Sequence, residues 1–255
     1  DSTTTTASLS IAITDHDEFD VGAPSDSDTD ANTIAEDIAN GQPVQITASS
    51  SDADASTNTI TYAITAESCT GAFTIGESTG VVTVLDTNDI NRESGATCTL
   101  EVTATSSDTS TAATTFTVTL TDVDEFNMGA TSDSDATANT VAENAADNTA
   151  VGITASASDA DATATTAYTM SIDTGACDGW FDIGTTDGIV RVDGSSEIDY
   201  ETVQSCDVTI TSTSSDDSTT TTASLSIAIT DHDEFDVGAP SDSDTDANTI
   251  AEDIA

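Results

Sequence analysis

Short segments of the chain alternate apolar residues with threonine, serine or alanine, so the hydrophobic period is two residues. In the first half the pattern runs through PVQITAS, TITYAIT, VVTV, TLEVTAT and TTFTVTL. Because successive side chains of a β-strand point to opposite faces, each segment predicts a strand with one buried face. Turn signals such as Asn40-Gly41 and Thr79-Gly80 separate these segments. About seven strands in roughly 100 residues predict an all-β, immunoglobulin-like, seven-stranded β-sandwich.

Internal repeats indicate that several such sandwiches follow one another. Residues 1–39 recur letter for letter at 217–255, and the segment TDHDEFD, which begins at Thr14 and again at Thr230, has a looser copy, TDVDEFN, that begins at Thr121. Repeats of this length predict tandem domains in a linear array. The expected boundaries are 1–13 for the last strand of a preceding domain, 14–120 for domain 1, 121–229 for domain 2 and 230–255 for the start of a following domain.

The charge of the chain restricts its partners. Its 255 residues include 48 acidic and only two basic side chains, Arg92 and Arg191, which gives a net charge of −46. So few cations exclude nucleic acid and anionic membrane surfaces as direct partners. Aromatic residues make up 4% of the chain, a composition that leans toward disorder. The regular alternation of β-branched residues argues against disorder, since such residues favour strands.

The acidic residues recur at fixed places in every repeat. One glutamate follows the first strand, a DAD triplet ends the second strand, an acidic motif (NRE or DYE) precedes the sixth strand, and an aspartate ends it. Acidic linkers, DHDEFD or DVDEFN, connect the repeats. Carboxylates held together repel one another, and a hard dication with six to eight oxygen ligands makes such clustering favourable.

Together with the F-x-I hairpins at Phe73 and Phe181, these ordered motifs resemble cadherin repeats, in the form found in long bacterial surface proteins. The resemblance covers essentially the whole chain and implies Ca²⁺ as the cofactor. A solvated acidic surface that binds no specific ion is the alternative.

The resemblance also implies which residues would hold calcium at each junction between repeats. The first set is Asp15, Asp17, Glu18, Asp52, Asp54, Asp108 and the backbone carbonyl of Asn58. The second set is Glu36, Glu93, Asp122, Asp124, Glu125, Asp159, Asp161 and Asp216. The third set is Glu143, Asp199, Glu201, Asp231, Asp233 and Glu234.

Four cysteines occur with the same spacing in the two repeats, Cys69 with Cys98 and Cys177 with Cys206. This spacing predicts one disulfide in each sandwich and an oxidising compartment, with buried free thiols as the alternative. In the expected strand order, the first cysteine of each pair follows the third strand and the second opens the neighbouring sixth strand.

Nothing in the sequence indicates catalysis. The two histidines, His16 and His232, occupy the same linker position in two copies, without a nucleophile arranged beside them. We therefore expect a non-enzymatic, structural protein located outside the cell or at the cell surface.

Two structural roles fit the periodic sequence. The first is the repeating unit of a calcium-stiffened extracellular filament. The second is the passive stalk of a giant bacterial surface adhesin with a separate ligand-binding tip. The expected partners are copies of the chain itself, along or across a fibre, including by strand addition to a neighbour. O-linked glycan is a further possible partner, on the threonine runs at 3–6 and 219–222, and direct membrane insertion is not expected.

Overall fold

The chain folds into two consecutive sets of β-strands, one within residues 25–121 and the other within 132–230. The structure is a computed structural model that describes residues 1–14, 16, 18–54, 56, 58–194, 198–234 and 237–249. Two of the expected calcium ligands, Asp15 and Asp17, lie outside the described residues. In the described part of the chain, the only helical element is a 3₁₀ turn at Gly175–Cys177.

The first set of strands forms two four-stranded sheets, ordered β1-β3-β6-β5 and β2-β8-β7-β4. Neighbouring strands are antiparallel except β2 and β8, which are parallel. The strands are β1 (Ser25–Asp26), β2 (Thr33–Ala35), β3 (Pro43–Ser49), β4 (Ile60–Glu67), β5 (Phe73–Ile75), β6 (Val81–Val84), β7 (Thr97–Ser106) and β8 (Thr111–Thr121).

The second set repeats this topology, with sheets ordered β9-β11-β14-β13 and β10-β16-β15-β12. Here β10 and β16 form the parallel pair. The strands are β9 (Ser132–Asp133), β10 (Thr140–Ala142), β11 (Ala150–Ser156), β12 (Thr166–Ile172), β13 (Phe181–Ile183), β14 (Ile189–Val192), β15 (Ser205–Ser214) and β16 (Thr220–Thr230).

The predicted all-β, immunoglobulin-like sandwich is confirmed. The segments PVQITAS and VVTV coincide with β3 and β6. Among the described residues, each sandwich has eight strand pieces rather than seven, because the first strand is divided between the two sheets. In the first sandwich β1 pairs with β3 in one sheet, and β2 pairs with β8 in the other. Glu36 therefore follows the second strand piece, β2.

Alternating side chains fill each sandwich. Leu100 and Val102 on β7 have no exposed surface, whereas Glu101 between them faces outward. In the second sandwich Trp180 is 6% exposed and meets Phe181 edge-on, with ring centroids 6.5 Å apart. Each buried aliphatic side chain contributes about 1.5–3 kcal/mol through burial, which sustains a core poor in aromatic residues.

Both predicted disulfides are present. Cys69 pairs with Cys98 at a Cα–Cα distance of 5.6 Å, and Cys177 pairs with Cys206 at 6.1 Å. In the first sandwich the bond joins the loop after β4 to the start of β7, which is the neighbour of β4. The structure thereby confirms the oxidised form that the matched spacing predicted.

By spatial contact the chain divides into two compact units. The first comprises Asp1–Gly129, Ser158–Thr166 and Ser214–Thr219, and the second comprises Ala130–Ala157, Ala167–Thr213 and Thr220–Ala255. The first unit therefore contains strands β1–β8, the DAD turn that follows β11 and the turn between β15 and β16. These two turns bring acidic residues from distant positions in the sequence into the first unit.

A glycine in the hairpin between β5 and β6 gives a test of local packing. Gly80 has φ +71°, and a Cβ there would lie 2.0 Å from the carbonyl oxygen of Ala48. We expect Gly80→Ala to lower the free energy of unfolding by about 2 kcal/mol or more, since the left-handed conformation and the clash both oppose it. Gly95→Ala is the control, because no atom lies within 4 Å of the added Cβ. Equal urea midpoints for the two variants would contradict this prediction.

Candidate metal centre

Glu36 anchors the first acidic group. Its side chain is 5% exposed at the end of β2. One carboxylate oxygen accepts the N–H of Arg92 at 2.6 Å, and the other accepts the N–H of Val123 at 2.8 Å. These bonds hold the loop before β7 beside the segment that follows β8. As a result, oxygens of Glu36, Glu93 and Asp122 lie within 4.8 Å of one another.

Asp161, the last residue of the second DAD triplet, anchors a second acidic group in the same way. It is 4% exposed, and its two oxygens accept the N–H groups of Glu125 at 3.1 Å and Phe126 at 3.0 Å. Its carboxylate belongs to two further triads, one with Glu93 and Glu125 and the other with Asp124 and Asp216.

The triads share Glu93 and Asp161 and therefore form one continuous group, here called the central cluster. All of its residues belong to the first compact unit. Asp159 lies beside it and accepts the N–H of Asp161 at 3.4 Å. The eight residues of the second predicted set thus lie together: seven belong to the three triads named here, and Asp159 lies beside them. The central cluster consists of Glu36, Glu93, Asp122, Asp124, Glu125, Asp161 and Asp216.

The geometry of these groups fits a cation with oxygen ligands. Two oxygens on opposite sides of a Ca²⁺ ion at about 2.4 Å would be about 4.8 Å apart, so each triad can surround one ion. Several buried oxygens also lack a hydrogen-bond partner among the described residues. They are Asp52 Oδ2, Glu93 Oε2, Asp108 Oδ2, Asp122 Oδ1 and Asp159 Oδ2, together with Glu67 Oε2 outside the predicted sets. A buried carboxylate oxygen without a donor is costly, and a metal ion is a suitable partner for it.

Crowding perturbs the acidity of the linker side chains. The pKa of Glu125 is raised to about 7, first by loss of solvation around its carboxylate and then by repulsion from Glu36 and Glu93. The pKa of Asp124 is also raised, by desolvation and by repulsion from Asp217 and Asp161. The cluster without a cation therefore retains protons that an isolated carboxylate would lose.

Hydroxyl groups support the carboxylates, and these were not predicted. The Thr163 hydroxyl and N–H both donate to Asp122 and lower the pKa of its carboxyl. A hydroxyl of Ser214 likewise donates to Asp216 and lowers its pKa. A signal exists in the sequence, because a serine or threonine stands two residues after each DAD triplet, as Ser56 and Thr163.

The first predicted set forms a triad of its own. Oxygens of Asp52, Asp54 and Asp108 lie within 4.8 Å of one another. Asp54 is 3% exposed and accepts the N–H groups of Glu18 at 3.1 Å and Phe19 at 3.3 Å. This repeats the bonds that Asp161 makes with the next linker. The Asn58 side chain donates to the carbonyl oxygen of Asp54 at 2.8 Å, and the role of its own carbonyl stays a prediction.

The third predicted set is partly brought together. Oxygens of Glu143, Glu201 and Glu234 form a triad. Glu143 is 8% exposed and accepts the N–H groups of Tyr200, at 2.8 Å, and His232. Asp199 accepts the hydroxyl of Thr202 at 2.6 Å. The two remaining residues of the set, Asp231 and Asp233, are exposed.

The raised pKa of Glu125 predicts how pH changes calcium binding. Protonated Glu125 must lose its proton to act as a ligand, so apparent affinity for Ca²⁺ should fall about tenfold between pH 8 and pH 6. In the ion-free protein the folded form holds the Glu125 proton more tightly than the unfolded chain, in which the pKa of this side chain is 4.5. The free energy of unfolding of the ion-free protein should therefore fall as pH rises from about 4.5 to 7.

Calcium titration by calorimetry at several pH values, with proton release measured in buffers of different ionisation enthalpy, checks this prediction. Glu125→Gln is the matched variant, because it removes the titrating group and should flatten the pH dependence. An equally steep dependence in that variant would show that another group titrates.

Immunoglobulin-like sandwiches are the architecture of many cell-surface domains, and this chain carries two of them with recurring acidic groups. The family model of the cadherin domain matches residues 31–121 and 137–230, together more than half of the chain. The chain therefore belongs to the cadherin family and contains tandem cadherin repeats. The bacterial form of the repeat stays a prediction.

Solved structures of cadherin ectodomains share the fold. Protocadherin Gamma B2 extracellular cadherin domains 3–6 match with a TM-score of 0.60 and 19% identity, over 86% of this chain and 55% of that one. Mouse Cadherin-23 EC22-24 matches with a TM-score of 0.54 and 19% identity, over 80% and 64%. The protocadherin gammaB7 EC3-6 cis-dimer matches with a TM-score of 0.56 and 17% identity, over 85% and 52%. The chain thus covers between about half and two thirds of each of these chains. No curated protein sequence matches it.

Membership of the family defines the general character of the chain. Cadherin repeats are extracellular adhesion and structural domains without enzymatic activity, and they typically bind Ca²⁺. Among the described residues, none forms a helix with the length and apolar character that a membrane crossing requires.

Proposed function

We propose that the chain is the repeating unit of an extracellular filament that calcium stiffens. The observation that carries the proposal is the central cluster, where carboxylate oxygens converge to within 4.8 Å of one another and two buried ones, Glu93 Oε2 and Asp122 Oδ1, have no hydrogen-bond donor among the described residues. Residues Glu36, Glu93, Asp122, Asp124, Glu125, Asp161 and Asp216 would hold the ions, with Asp159 beside them. Calcium would neutralise their mutual repulsion and fix the linker segment 122–126.

The linker is the part of the first unit that calcium would stiffen most. Segment 122–126 belongs to no strand and is held by hydrogen bonds to two carboxylates, Glu36 and Asp161. Both acceptors lie among other negatively charged carboxylates, which repel one another when no ion is bound. A bound ion would be ligated by the same carboxylates and would remove this repulsion. The same logic applies to Asp54 with its linker residues Glu18 and Phe19.

Copies of the same chain are the partners that we propose for the filament. Support comes from the repeated sequence and from the similar gammaB7 fragment, which is described as a cis-dimer. This proposal includes the predicted domain boundaries 1–13, 14–120, 121–229 and 230–255. It also includes O-linked glycan on exposed threonines of β16, such as Thr220 and Thr222.

The passive stalk of a giant surface adhesin, with a separate ligand-binding tip, is the second candidate. The same repeats favour it, because a stalk and a filament need the same calcium-dependent stiffness. Micrographs of purified native material separate the two roles. Thick, helically ordered fibres support a filament, and thin beaded threads that end at cells support a stalk.

Chelation tests the property that the two roles share. Adding EGTA should shorten the persistence length of the threads and expose segment 122–126 to protease, and excess calcium should reverse both effects. An equal amount of magnesium is the control, because Mg²⁺ keeps much of its water and fits carboxylate-rich cages poorly. Unchanged persistence length after chelation would overturn the proposal.

A further inference from the structure

The two disulfides differ in their access to solvent. Cys98, Cys177 and Cys206 have no exposed surface, whereas Cys69 is half-buried and packs against the first core from its margin. A disulfide opens when a thiolate attacks one of its sulfurs, so the reaction requires access to at least one of the two cysteines. Of the four cysteines, only Cys69 offers this access.

An open cavity of about 390 Å³ lies beside Cys69. Its lining comes from Ser68, Cys69 and Thr70 in the loop after β4, and from the segment that leads into β7, which includes Asp89. Cys98 does not line it. The volume lies within the range of cavities that hold small organic molecules. The cavity therefore gives a small molecule a route to one sulfur of the first disulfide.

A tryptophan closes the corresponding place in the second sandwich. Trp180 is buried in the same cluster as Cys177. Its N–H donates to the carbonyl oxygen of Cys177 at 3.0 Å, and in the first sandwich the N–H of Ala72 donates to Cys69 in the same way at 3.1 Å. The backbone turn is thus shared, and a methyl group in one sandwich stands where the other has an indole. We attribute the exposure of Cys69 to this difference in side-chain size.

We propose that the Cys69–Cys98 disulfide is a thiol-exchange site, where a small thiol enters the cavity and attacks Cys69 Sγ. The thiolate sulfur forms a new S–S bond to Cys69, the bond to Cys98 breaks, and its electron pair leaves with Cys98 Sγ. Cys98 then gains a proton, which balances the proton that the entering thiol lost, because a buried apolar position favours the neutral thiol. The product has a mixed disulfide on Cys69 and a free thiol on Cys98.

Charge selects the entering thiol. Asp89 lines the cavity, and the carboxylate of Glu67 accepts the N–H of Gly71 across the loop that contains Cys69. The whole chain has a net charge of −46. These carboxylates repel a thiol that carries its own acidic group, so the site favours a thiol that carries a positive group.

Timed reaction of the full chain with 2-mercaptoethanol at constant calcium tests the proposal. Acid quenching, alkylation of free thiols and peptide mapping then locate each modification. The first disulfide should react at least about tenfold faster than the second, since access controls the rate of exchange. The mixed disulfide should lie on Cys69 and the alkyl label on Cys98. Equal rates for the two disulfides, or a mixed disulfide on Cys98, would overturn the proposal.

Low concentrations of urea separate direct attack from reaction through unfolding. Direct attack on Cys69 should keep a nearly constant rate while urea stays below the unfolding transition. A rate that rises in proportion to the unfolded fraction of the first sandwich would also overturn the proposal.

Exchanging the side chains at the matched positions tests the role of Trp180. Trp180→Ala should bring the rate of the second disulfide toward that of the first, and Ala72→Trp should slow the first. The unaltered sandwich in each variant is the internal control. Where Ala72→Trp does not fold, Trp180→Ala decides alone. A second disulfide that stays slow in Trp180→Ala, or that reacts there only through unfolding, would contradict the role given to the indole.

Thiols of different charge test the selectivity. Cysteamine, 2-mercaptoethanol and mercaptoethanesulfonate have reactive thiolate forms of increasing negative charge. Their rates at the first disulfide, compared per concentration of thiolate, should fall in that order at low salt and converge at high salt. Equal rates at low salt, or the reverse order, would refute the assigned class of thiol.

Discussion

Asp161→Asn is expected to weaken calcium binding at the central cluster by at least the ~10–100-fold typical of changes that only support metal ligands. Asp161 belongs to two triads and also accepts the N–H groups of Glu125 and Phe126. Asparagine keeps the size of the side chain but removes the charge and one of the two acceptor oxygens. The variant should therefore lose affinity and loosen the linker at the same position.

Calorimetric titration with Ca²⁺ measures the affinity, and Asp207→Asn is the control. Asp207 is an exposed aspartate that faces outward on β15, so its removal changes the net charge equally without touching the cluster. The control should bind calcium as the original chain does. Equal affinity losses in the two variants would mean that general charge, rather than the cluster, attracts the ion.

Removing the first disulfide should give the largest loss of stability outside the metal centre. Cys69 and Cys98 are separated by 29 residues, so the bond restricts a loop whose closure contributes about 3–4 kcal/mol in the chain-entropy account. Cys69→Ala with Cys98→Ala should lower the free energy of unfolding of the first sandwich by that amount. The fully buried position of Cys98 adds a small packing loss.

Urea unfolding followed by hydrogen exchange measures this loss and assigns it to a sandwich. The corresponding pair Cys177→Ala with Cys206→Ala is the matched variant, and its effect should fall on the amides of β15 and β16. A loss below about 1 kcal/mol in both pairs would show that the sandwiches do not rely on their disulfides.

Most of the fold could be predicted from the sequence, because apolar and polar residues alternate along a half-buried strand. Segments such as Pro43–Ser49 alternate strictly, and the structure places a strand over the same residues. The division of the first strand could not be predicted. The pieces Ser25–Asp26 and Thr33–Ala35 are too short to show a period, and only their partners β3 and β8 assign them to different sheets.

The candidate site was predictable in its carboxylates but not in its supporting groups. The motifs that contain Glu36, Asp161 and Asp216 recur in order, and recurrence separates them from other acidic residues. The donors that orient them are backbone N–H groups, which every residue has, and hydroxyls such as that of Thr163 in a chain full of threonine. Three-dimensional packing alone selects these donors.

Hydrogen exchange of segment 122–126, with calcium and with EGTA, tests the central claim most directly. The claim is that calcium binds the central cluster and orders the linker. Calcium should slow exchange at Val123, Glu125 and Phe126, whose N–H groups donate to Glu36 and Asp161, and should leave core amides such as that of Val102 unchanged. Exchange rates at these three amides that are the same in saturating calcium and in EGTA would contradict it.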